Sequence, residues 1–188
     1  KAEDIKNFDD IEEVLKKCQE VHPELYPMIP SDLNNGCFLN YVKGEFDVVT
    51  SGVGVDIDDD ASDGITVINT YDTEKYKEMA EKAYDWNQKG YFMPDSTTNT
   101  TTRQDLFRAN TAFSYYGNQH PGTATQETMN SGKEIVSIPI GRSTISTSSV
   151  NFCQWAIPAQ CENPKKALAV LNLLYSDSDF QNLFRYGI

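Results

Sequence analysis

The strongest constraint on the fold of this chain is the alternation of amphipathic helical segments with short apolar runs along its 188 residues. Apolar side chains recur every three or four residues in 8–21, 74–89 and 167–175, which places them on one face of a helix. The remaining apolar runs are typical of strands and lie at 24–30, 45–57, 65–71, 111–117, 134–141 and 150–157. This alternation predicts an α/β domain in which helices cover the faces of a sheet.

Capping residues mark the predicted ends of the helices. Asn7 and Thr73 each precede an apolar stripe, and their side chains are suited to accept backbone N–H groups. Asn163 and Pro164 open a third helix in the same way, because proline fits the first helical position. A further short helix follows the third one, and Gly187 is placed to end it.

The charge of the chain excludes two classes of partner. Lys and Arg number 16 against 28 Asp and Glu, which gives a formal net charge of −12 at pH 7. That charge repels nucleic acid phosphates and anionic lipid headgroups, and no basic cluster offsets it. No apolar run approaches the roughly 20 residues that a bilayer-spanning helix requires. We therefore expect no nucleic acid partner and no membrane-spanning segment within this chain.

Four cysteines are spread along the chain, without a CxxC pair and with only two histidines, so the spacing of a zinc site is missing. Cys18 lies on the apolar face of the first predicted helix, where a buried free thiol is expected. Cys153 and Cys161 flank a turn. Unpaired thiols are favoured for them, and a disulfide stays open because sequence alone does not give the Cα separation.

Motifs of the common catalytic centres are absent: the chain has no GxSxG, HExxH, P-loop or GxGxxG sequence. Asp56, Asp58 and Asp60 have the alternating spacing of a calcium loop, but Ala61 stands where that loop requires glycine and Val67 where it requires glutamate. We interpret this segment as a solvated hairpin tip. A pair of glycosidase carboxylates stays open, because carboxylates are numerous. The favoured prediction is a protein without catalytic residues, metal or cofactor.

Two segments carry a family resemblance. One is ENPKKALAVLNLLYSDSDFQNLFRYGI at 162–188, and the other is YKEMAEKAYDWNQKGY at 76–91. Both are similar to segments of the extracellular solute-binding proteins of ABC transporters, in particular the carbohydrate-type, family 1 lipoproteins of Gram-positive bacteria. The resemblance implies a periplasmic-binding-protein-like lobe, with a central mixed sheet flanked by helices.

The resemblance also implies an organisation and a role. Residues 1–188 are expected to form a single α/β domain, the second lobe of a two-lobe protein whose first lobe lies outside this chain. The whole protein is expected to bind a sugar or oligosaccharide in the cleft between lobes and deliver it to an ABC permease. It would be an extracellular lipoprotein, held to the membrane only by a lipid anchor outside this chain. An isolated lobe contributes only half of the cleft, so we expect it to bind sugar weakly or not at all.

Sugar binding requires flat aromatic rings for the apolar face of a pyranose and amides or carboxylates for its hydroxyls. In α/β sheets such groups lie on loops beyond the carboxyl ends of strands. The resemblance places an aromatic residue after the strand at 111–117, another in the run at 150–157, and an acidic or amide residue after the strand at 24–30. The candidate ligand-binding residues are Tyr115, Tyr116, Asn118, Gln119, Trp155, Asp32 and Asn35, with Asn34 as an alternative in the last loop.

Each candidate has a plainer interpretation that stays open. Tyr115 and Tyr116 point to opposite faces of a strand, so at most one is expected to face a ligand. Trp155 is equally compatible with a packed core position, and residues 32–35 with a solvated turn. The helical register of Trp86 favours core packing over sugar stacking.

Three other function classes remain as alternatives to sugar transport. One is a secreted glycan-active enzyme, another is a peptide-binding lobe of the same architecture, and a third is a surface adhesion domain. Hydrolysis of a chromogenic glycoside would favour the enzyme. Peptide binding is compatible with the same asparagine and tyrosine side chains, because amide groups of a peptide backbone are also held by them.

Overall fold

The structure is a computed structural model that describes residues 2–31, 46–50, 52–57, 63–140, 144–151 and 154–187. It divides into two compact units, Lys1–Ser149 and Val150–Ile188. The elements of the first unit are α1 (Phe8–Val21), β1 (Tyr26–Ile29), β2 (Phe46–Thr50), β3 (Val53–Asp56), β4 (Val67–Asn69), α2 (Glu74–Gln88), α3 (Arg103–Arg108), β5 (Ala112–Tyr115), α4 (Thr123–Ser131) and α5 (Thr147–Asn151). The last two residues of α5 belong to the second unit. The second unit continues with α6 (Pro164–Ser176) and α7 (Ser178–Tyr186). The expected α/β class is confirmed.

A parallel arrangement centred on β1 forms the first sheet. β1 and β5 run parallel, with Tyr26 opposite Ala112 and Ile29 opposite Tyr115. On the other side of β1, residues 91–93 add a short parallel bridge, in which the Met28 N–H donates to the Tyr91 carbonyl at 2.9 Å. Three parallel segments therefore end at the same edge of this sheet.

The second sheet is antiparallel, with strand order β2-β3-β4. Phe46 on β2 is fully buried beneath it. Gly52 makes the turn between β2 and β3 with φ +77°, and a Cβ there would lie 2.4 Å from the Tyr71 ring. Glycine is therefore required by the backbone conformation and by the available space.

The main hydrophobic core packs α1 and α2 against both sheets. Its buried members are Leu15, Met28, Phe46, Met79, Trp86 and Tyr91. Trp86 is 0% exposed, and its indole N–H donates to the Glu12 carboxylate at 2.9 Å. The prediction that Trp86 is a core residue is confirmed, and so is the buried state of Cys18.

The predicted caps of α1 and α2 are present. The Asn7 side chain accepts the N–H groups of Asp9 and Asp10, and the Asp10 carboxylate accepts the Asn7 N–H in return. Thr73 accepts the Tyr76 N–H at 3.2 Å. These reciprocal bonds fix both helix starts, because they satisfy backbone donors that have no partner inside the helix.

The strand predicted at 134–141 is wrong. No strand is formed by the described residues 134–140. Side-chain hydroxyls take the donors that a strand ladder would use: the Ile135 N–H donates to Thr128 at 3.0 Å and the Lys133 N–H to Ser131 at 3.2 Å. Local bonds of this kind compete with sheet pairing.

The strand predicted at 150–157 is also wrong. Val150 and Asn151 end α5, and Gln154 to Ile157 form no strand. Ser146 and Ser149 exchange backbone-to-hydroxyl bonds at 2.8 and 3.2 Å, the pattern of a capping box. The Thr147 N–H also donates to the Asp47 carboxylate at 3.0 Å, so two sets of bonds start a helix just before the predicted strand, and that helix takes up Val150 and Asn151.

In the second unit, Pro164 occupies the first turn of α6 as predicted. The Asn163 side chain does not cap this helix, contrary to prediction; its backbone carbonyl instead accepts the Lys166 N–H at 3.0 Å. Asp177 caps α7 by accepting two backbone N–H groups, and Gly187 ends α7 with φ +73°. Cys161 is a free thiol, whereas Cys153 lies outside the described residues.

Within the described ranges, none of the helices combines the length and apolarity needed to cross a bilayer.

Candidate ligand-binding site

Three parallel segments of the first sheet end close together. We call this region the carboxyl edge and define it as residues 30–31 after β1, 93–94 after the bridge to β1, and 115–117 at the end of β5. In open α/β sheets, ligands bind beyond the carboxyl ends of the strands. Two of the three candidate stretches from the sequence begin at this edge, the loop after β1 and the loop after β5.

The two candidate tyrosines pack on different sides of the sheet. The Tyr115 ring contacts Phe107 with centroids 6.1 Å apart and joins the cluster around Ile29. The Tyr116 ring contacts Phe8 at 5.9 Å and packs against the Trp86 cluster. Both rings are half-buried, and their opposite directions follow from the alternation of a strand. Which of them faces a ligand stays a prediction.

Beyond the tyrosines, the chain turns on the surface. Asn118 and Gln119 are exposed, and the Gln119 side-chain oxygen accepts a hydrogen bond from the Ser137 hydroxyl. The turn closes at Thr123, whose hydroxyl accepts the His120 N–H at 2.9 Å and donates to the His120 carbonyl at 2.8 Å. Amide side chains are thereby presented to solvent directly after the carboxyl edge.

The ends of β1 and β5 are in direct contact. A Cβ built on Gly117 would lie 3.4 Å from the Cβ of Ser31 and 3.3 Å from the Tyr115 ring, so the backbone there packs closely against both residues. Asp32, Asn34 and Asn35 lie outside the described residues. Their roles stay predictions, but the chain enters that loop next to the loop after β5.

A charged cluster lies at the same edge. The Arg103 guanidinium donates to both carboxylate oxygens of Glu127, at 3.0 and 3.4 Å, and to the Ser31 carbonyl at 2.5 Å. Its carbon lies 5.0 Å from the Tyr115 ring centroid. Gln104 donates a further bond to Glu127 at 3.3 Å. Glu127 is only 4% exposed, so its charge is balanced almost entirely by these neighbours.

Sequence reasoning did not single out Arg103 or Glu127. They are 24 residues apart and meet only in the folded chain. One signal was available: Thr123, Glu127 and Ser131 share a helix face at four-residue spacing, and all three are buried. A stripe of polar residues on the buried face of a helix indicates a polar partner inside the fold.

Trp155 belongs to the second unit. Its side chain is 62% exposed, which does not fit the packed core position that the sequence left open. The same unit has a shallow cavity of about 380 Å³ at the start of α6, lined by Ile157, Pro158, Ala159, Cys161, Pro164, Lys165 and Leu168. Lys165 is the one charged residue among them.

Catalytic pairs and metal ligands were sought in the described ranges. No described hydrogen bond pairs a serine or cysteine with a histidine, and no group of three or more His, Cys, Asp or Glu in those ranges could hold a metal ion. Hydrogen bonding from Lys89 lowers the pKa of Glu12, but that pair joins α1 to the end of α2. The carboxyl edge and the residues next to it bring together aromatic rings, the amides of Asn118 and Gln119, and the Arg103–Glu127 pair.

Comparison with known proteins identifies the fold. No protein-family model matches the chain, and no curated protein sequence matches it. Solved structures of an N-glycan transport solute binding protein (NgtS) from Streptococcus pneumoniae do match. One aligns over 95% of this chain with TM-score 0.72 and 20% identity. Its complexes with Man1GlcNAc and Man5GlcNAc align with TM-scores of 0.70 and 0.68, at 20% and 21% identity.

The match is to part of those proteins. The chain spans 38–39% of their length. The fold of the chain is therefore that of a lobe of a solute-binding protein. At 20–21% identity, the match is one of fold.

Proposed function

We propose that this chain is the second lobe of an extracellular solute-binding protein that captures a glycan for an ABC importer. The observation that carries the proposal is the fold, which matches a glycan transport binding protein over 95% of the chain with TM-score 0.72. Family 1 membership, lipid anchoring, the extracellular location, the first lobe and the permease are parts of this proposal. Hinge closure of two lobes around a ligand is a common mode for such proteins.

The carboxyl edge supports a sugar as the ligand. Amide side chains at Asn118 and Gln119 can donate to and accept from hydroxyls, and Tyr116 supplies a ring next to them. Trp155, an exposed ring of the second unit, is proposed as a separate contact for the ligand. Each aromatic stack adds about 0.5–1.5 kcal/mol beyond burial. The crystallised relatives hold mannose- and N-acetylglucosamine-containing oligosaccharides, so we propose a ligand of that class.

A binding screen on the full-length gene product that contains this chain tests the proposal. Arrayed glycans, a chromogenic glycoside and a mixed peptide library are offered to the same protein. Selective binding of mannose- or N-acetylglucosamine-containing oligosaccharides, without hydrolysis, is the expected result. Turnover of the glycoside would identify a glycan-active enzyme instead, and peptide binding without sugar binding would identify a peptide-binding lobe.

Substitutions localise the binding. We expect Trp155→Ala and Asn118→Ala each to weaken glycan binding by about tenfold, the loss of about 1.4 kcal/mol that one stack or hydrogen-bonded contact represents. Tyr84→Ala removes a similarly exposed ring from α2, which carries none of the candidate residues, and should leave the affinity within twofold. Equal losses in Trp155→Ala and Tyr84→Ala would show that Trp155 does not contact the sugar.

A further inference from the structure

Arg103 contacts two of the three segments of the carboxyl edge, those that follow β1 and β5. Its guanidinium reaches Glu127 on α4 through two donors, the Ser31 carbonyl through a third, and the Tyr115 ring through its flat face. The side chain is 22% exposed, so these contacts form in a mostly desolvated setting. Hydrogen bonds and ion pairs are stronger there than in water.

This set of contacts depends on the shape of the guanidinium. A planar group with five donors can bond a carboxylate with two donors, reach a backbone carbonyl and stack on a ring at the same time. A lysine ammonium keeps the charge, but its three donors share one nitrogen and it has no flat face. Replacing Arg103 by lysine therefore separates the geometric role of the residue from its charge.

Arg103 is also one of the neighbours that enclose the Tyr115 ring. One face of the Tyr115 ring lies under the guanidinium, its edge meets Phe107, and Gly117 packs against its Cε2 side. The ring is therefore part of the framework at the end of β5.

We propose that Arg103 is a positioning residue of the glycan site, which orders the end of β5 against Ser31 so that Tyr116, Asn118 and Gln119 are held ready for the ligand. Glu127 makes this possible by neutralising the guanidinium inside the fold. The inference rests on the proposed function for its ligand, and on the contacts alone for its structural part.

Arg103→Lys in the full-length gene product tests the inference with two measurements. The first is amide hydrogen exchange without ligand. We expect exchange at residues 114–117 to accelerate at least tenfold, while exchange in β3 stays within twofold of the wild type. The second is the dissociation constant for the best glycan of the screen, which we expect to rise at least tenfold.

Two further variants control the interpretation. Arg108→Lys changes the same residue type on the same helix. Arg108 pairs with Asp105 and donates to the Asn130 carbonyl, neither of which belongs to the carboxyl edge, so this variant should change neither measurement by more than twofold. Glu127→Gln leaves the arginine in place without its counter-charge and should loosen residues 114–117 as Arg103→Lys does.

Several results would overturn the inference. Unchanged exchange at 114–117 in Arg103→Lys would show that Arg103 does not order the edge. Equal acceleration at 114–117 and in β3 would show that it serves only global stability. A loosened edge with an unchanged dissociation constant would show that its order is irrelevant to binding. If the wild type binds no glycan, the proposed function fails, and the exchange rates alone decide whether Arg103 orders the edge.

Discussion

At the residue scale, the two tryptophans have opposite environments. Trp86 is fully buried and bonded to Glu12, whereas Trp155 is mostly exposed. Their positions in sequence patterns already differed, because Trp86 shares a helix face with Met79 and Ala83. Burial in a helix-packed core follows from periodicity, whereas exposure of a residue in an irregular segment does not.

The tryptophan pair yields a stability prediction. Trp86→Ala removes the largest buried side chain and leaves its cavity, so we expect the free energy of unfolding to fall by about 3–5 kcal/mol. Trp155→Ala should change it by less than about 0.5 kcal/mol, as is typical of exposed positions. Urea denaturation followed by circular dichroism measures both. A similar loss in the two variants would contradict the assigned burial.

Glu12 yields a prediction on pH. The hydrogen bond from Lys89 holds the pKa of Glu12 below its usual value of 4.5, and the bond from the Trp86 indole acts in the same direction. A carboxyl with a lowered pKa in the folded state contributes stability above the unfolded value. That contribution is lost as the pH falls from about 4.5 through the lowered folded pKa.

The experiment compares unfolding midpoints between pH 6 and pH 3. In Glu12→Gln we expect a shallower decline than in the wild type, because the titrating group is gone. Glu13→Gln changes the neighbouring exposed residue of α1 and serves as the control. Identical slopes in Glu12→Gln and the wild type would mean that the Lys89–Glu12 pair does not contribute.

At the scale of elements, local chemistry decided which predictions held. The caps at Asn7 and Thr73 and the stop at Gly187 follow from neighbouring residues alone, and all three are confirmed. The runs at 134–141 and 150–157 have strand composition, yet serine and threonine hydroxyls bind their backbone donors or cap a helix. Composition alone does not show which donors a hydroxyl will take.

The candidate site also shows the difference between what the sequence predicts and what only the packed elements reveal. The loops after β1 and β5 were predicted because the family resemblance places ligand-binding residues after these two strands. The Arg103–Glu127 pair that joins them was missed, because its partners come from separate elements. Tertiary ion pairs leave no local pattern, so they become visible only when the elements are packed.

The caps of the second unit give a prediction at this scale. Asp177 accepts two backbone N–H groups at the start of α7, so Asp177→Ala should cost about 0.5–2 kcal/mol. Asn163 precedes α6 but makes no side-chain cap bond, so Asn163→Ala should cost clearly less. Thermal unfolding of both variants checks the difference. A larger cost for Asn163→Ala would contradict the cap assignment.

The turn glycines give a second prediction at the scale of elements. Gly52 and Gly64 both have positive φ, but a Cβ at Gly52 would meet the Tyr71 ring at 2.4 Å, whereas a Cβ at Gly64 meets nothing within 4 Å. Gly64→Ala should cost about 1–2 kcal/mol from backbone strain. Gly52→Ala should cost more in the same unfolding assay, because the ring must also move. Equal costs would show that the Tyr71 contact is not tight.

At the scale of the whole molecule, the fold is supported by alignment with solved structures, whereas the function is a proposal. The lobe fold aligns with solved structures over 95% of the chain, whereas the chain spans 38–39% of their length. A full glycan cleft therefore belongs to the proposed larger protein, and an isolated lobe should bind weakly. Titration calorimetry on this chain alone checks that point, and sub-micromolar affinity would contradict it.

Amide chemical-shift mapping tests the central claim most directly. An isotope-labelled sample of the full-length gene product is titrated with the best glycan of the screen. The account predicts saturable shifts at Tyr116, Asn118 and Gln119, with β3 at 53–56 unaffected. Saturation of binding without any shift at those three residues would contradict the claim that the carboxyl edge holds the sugar.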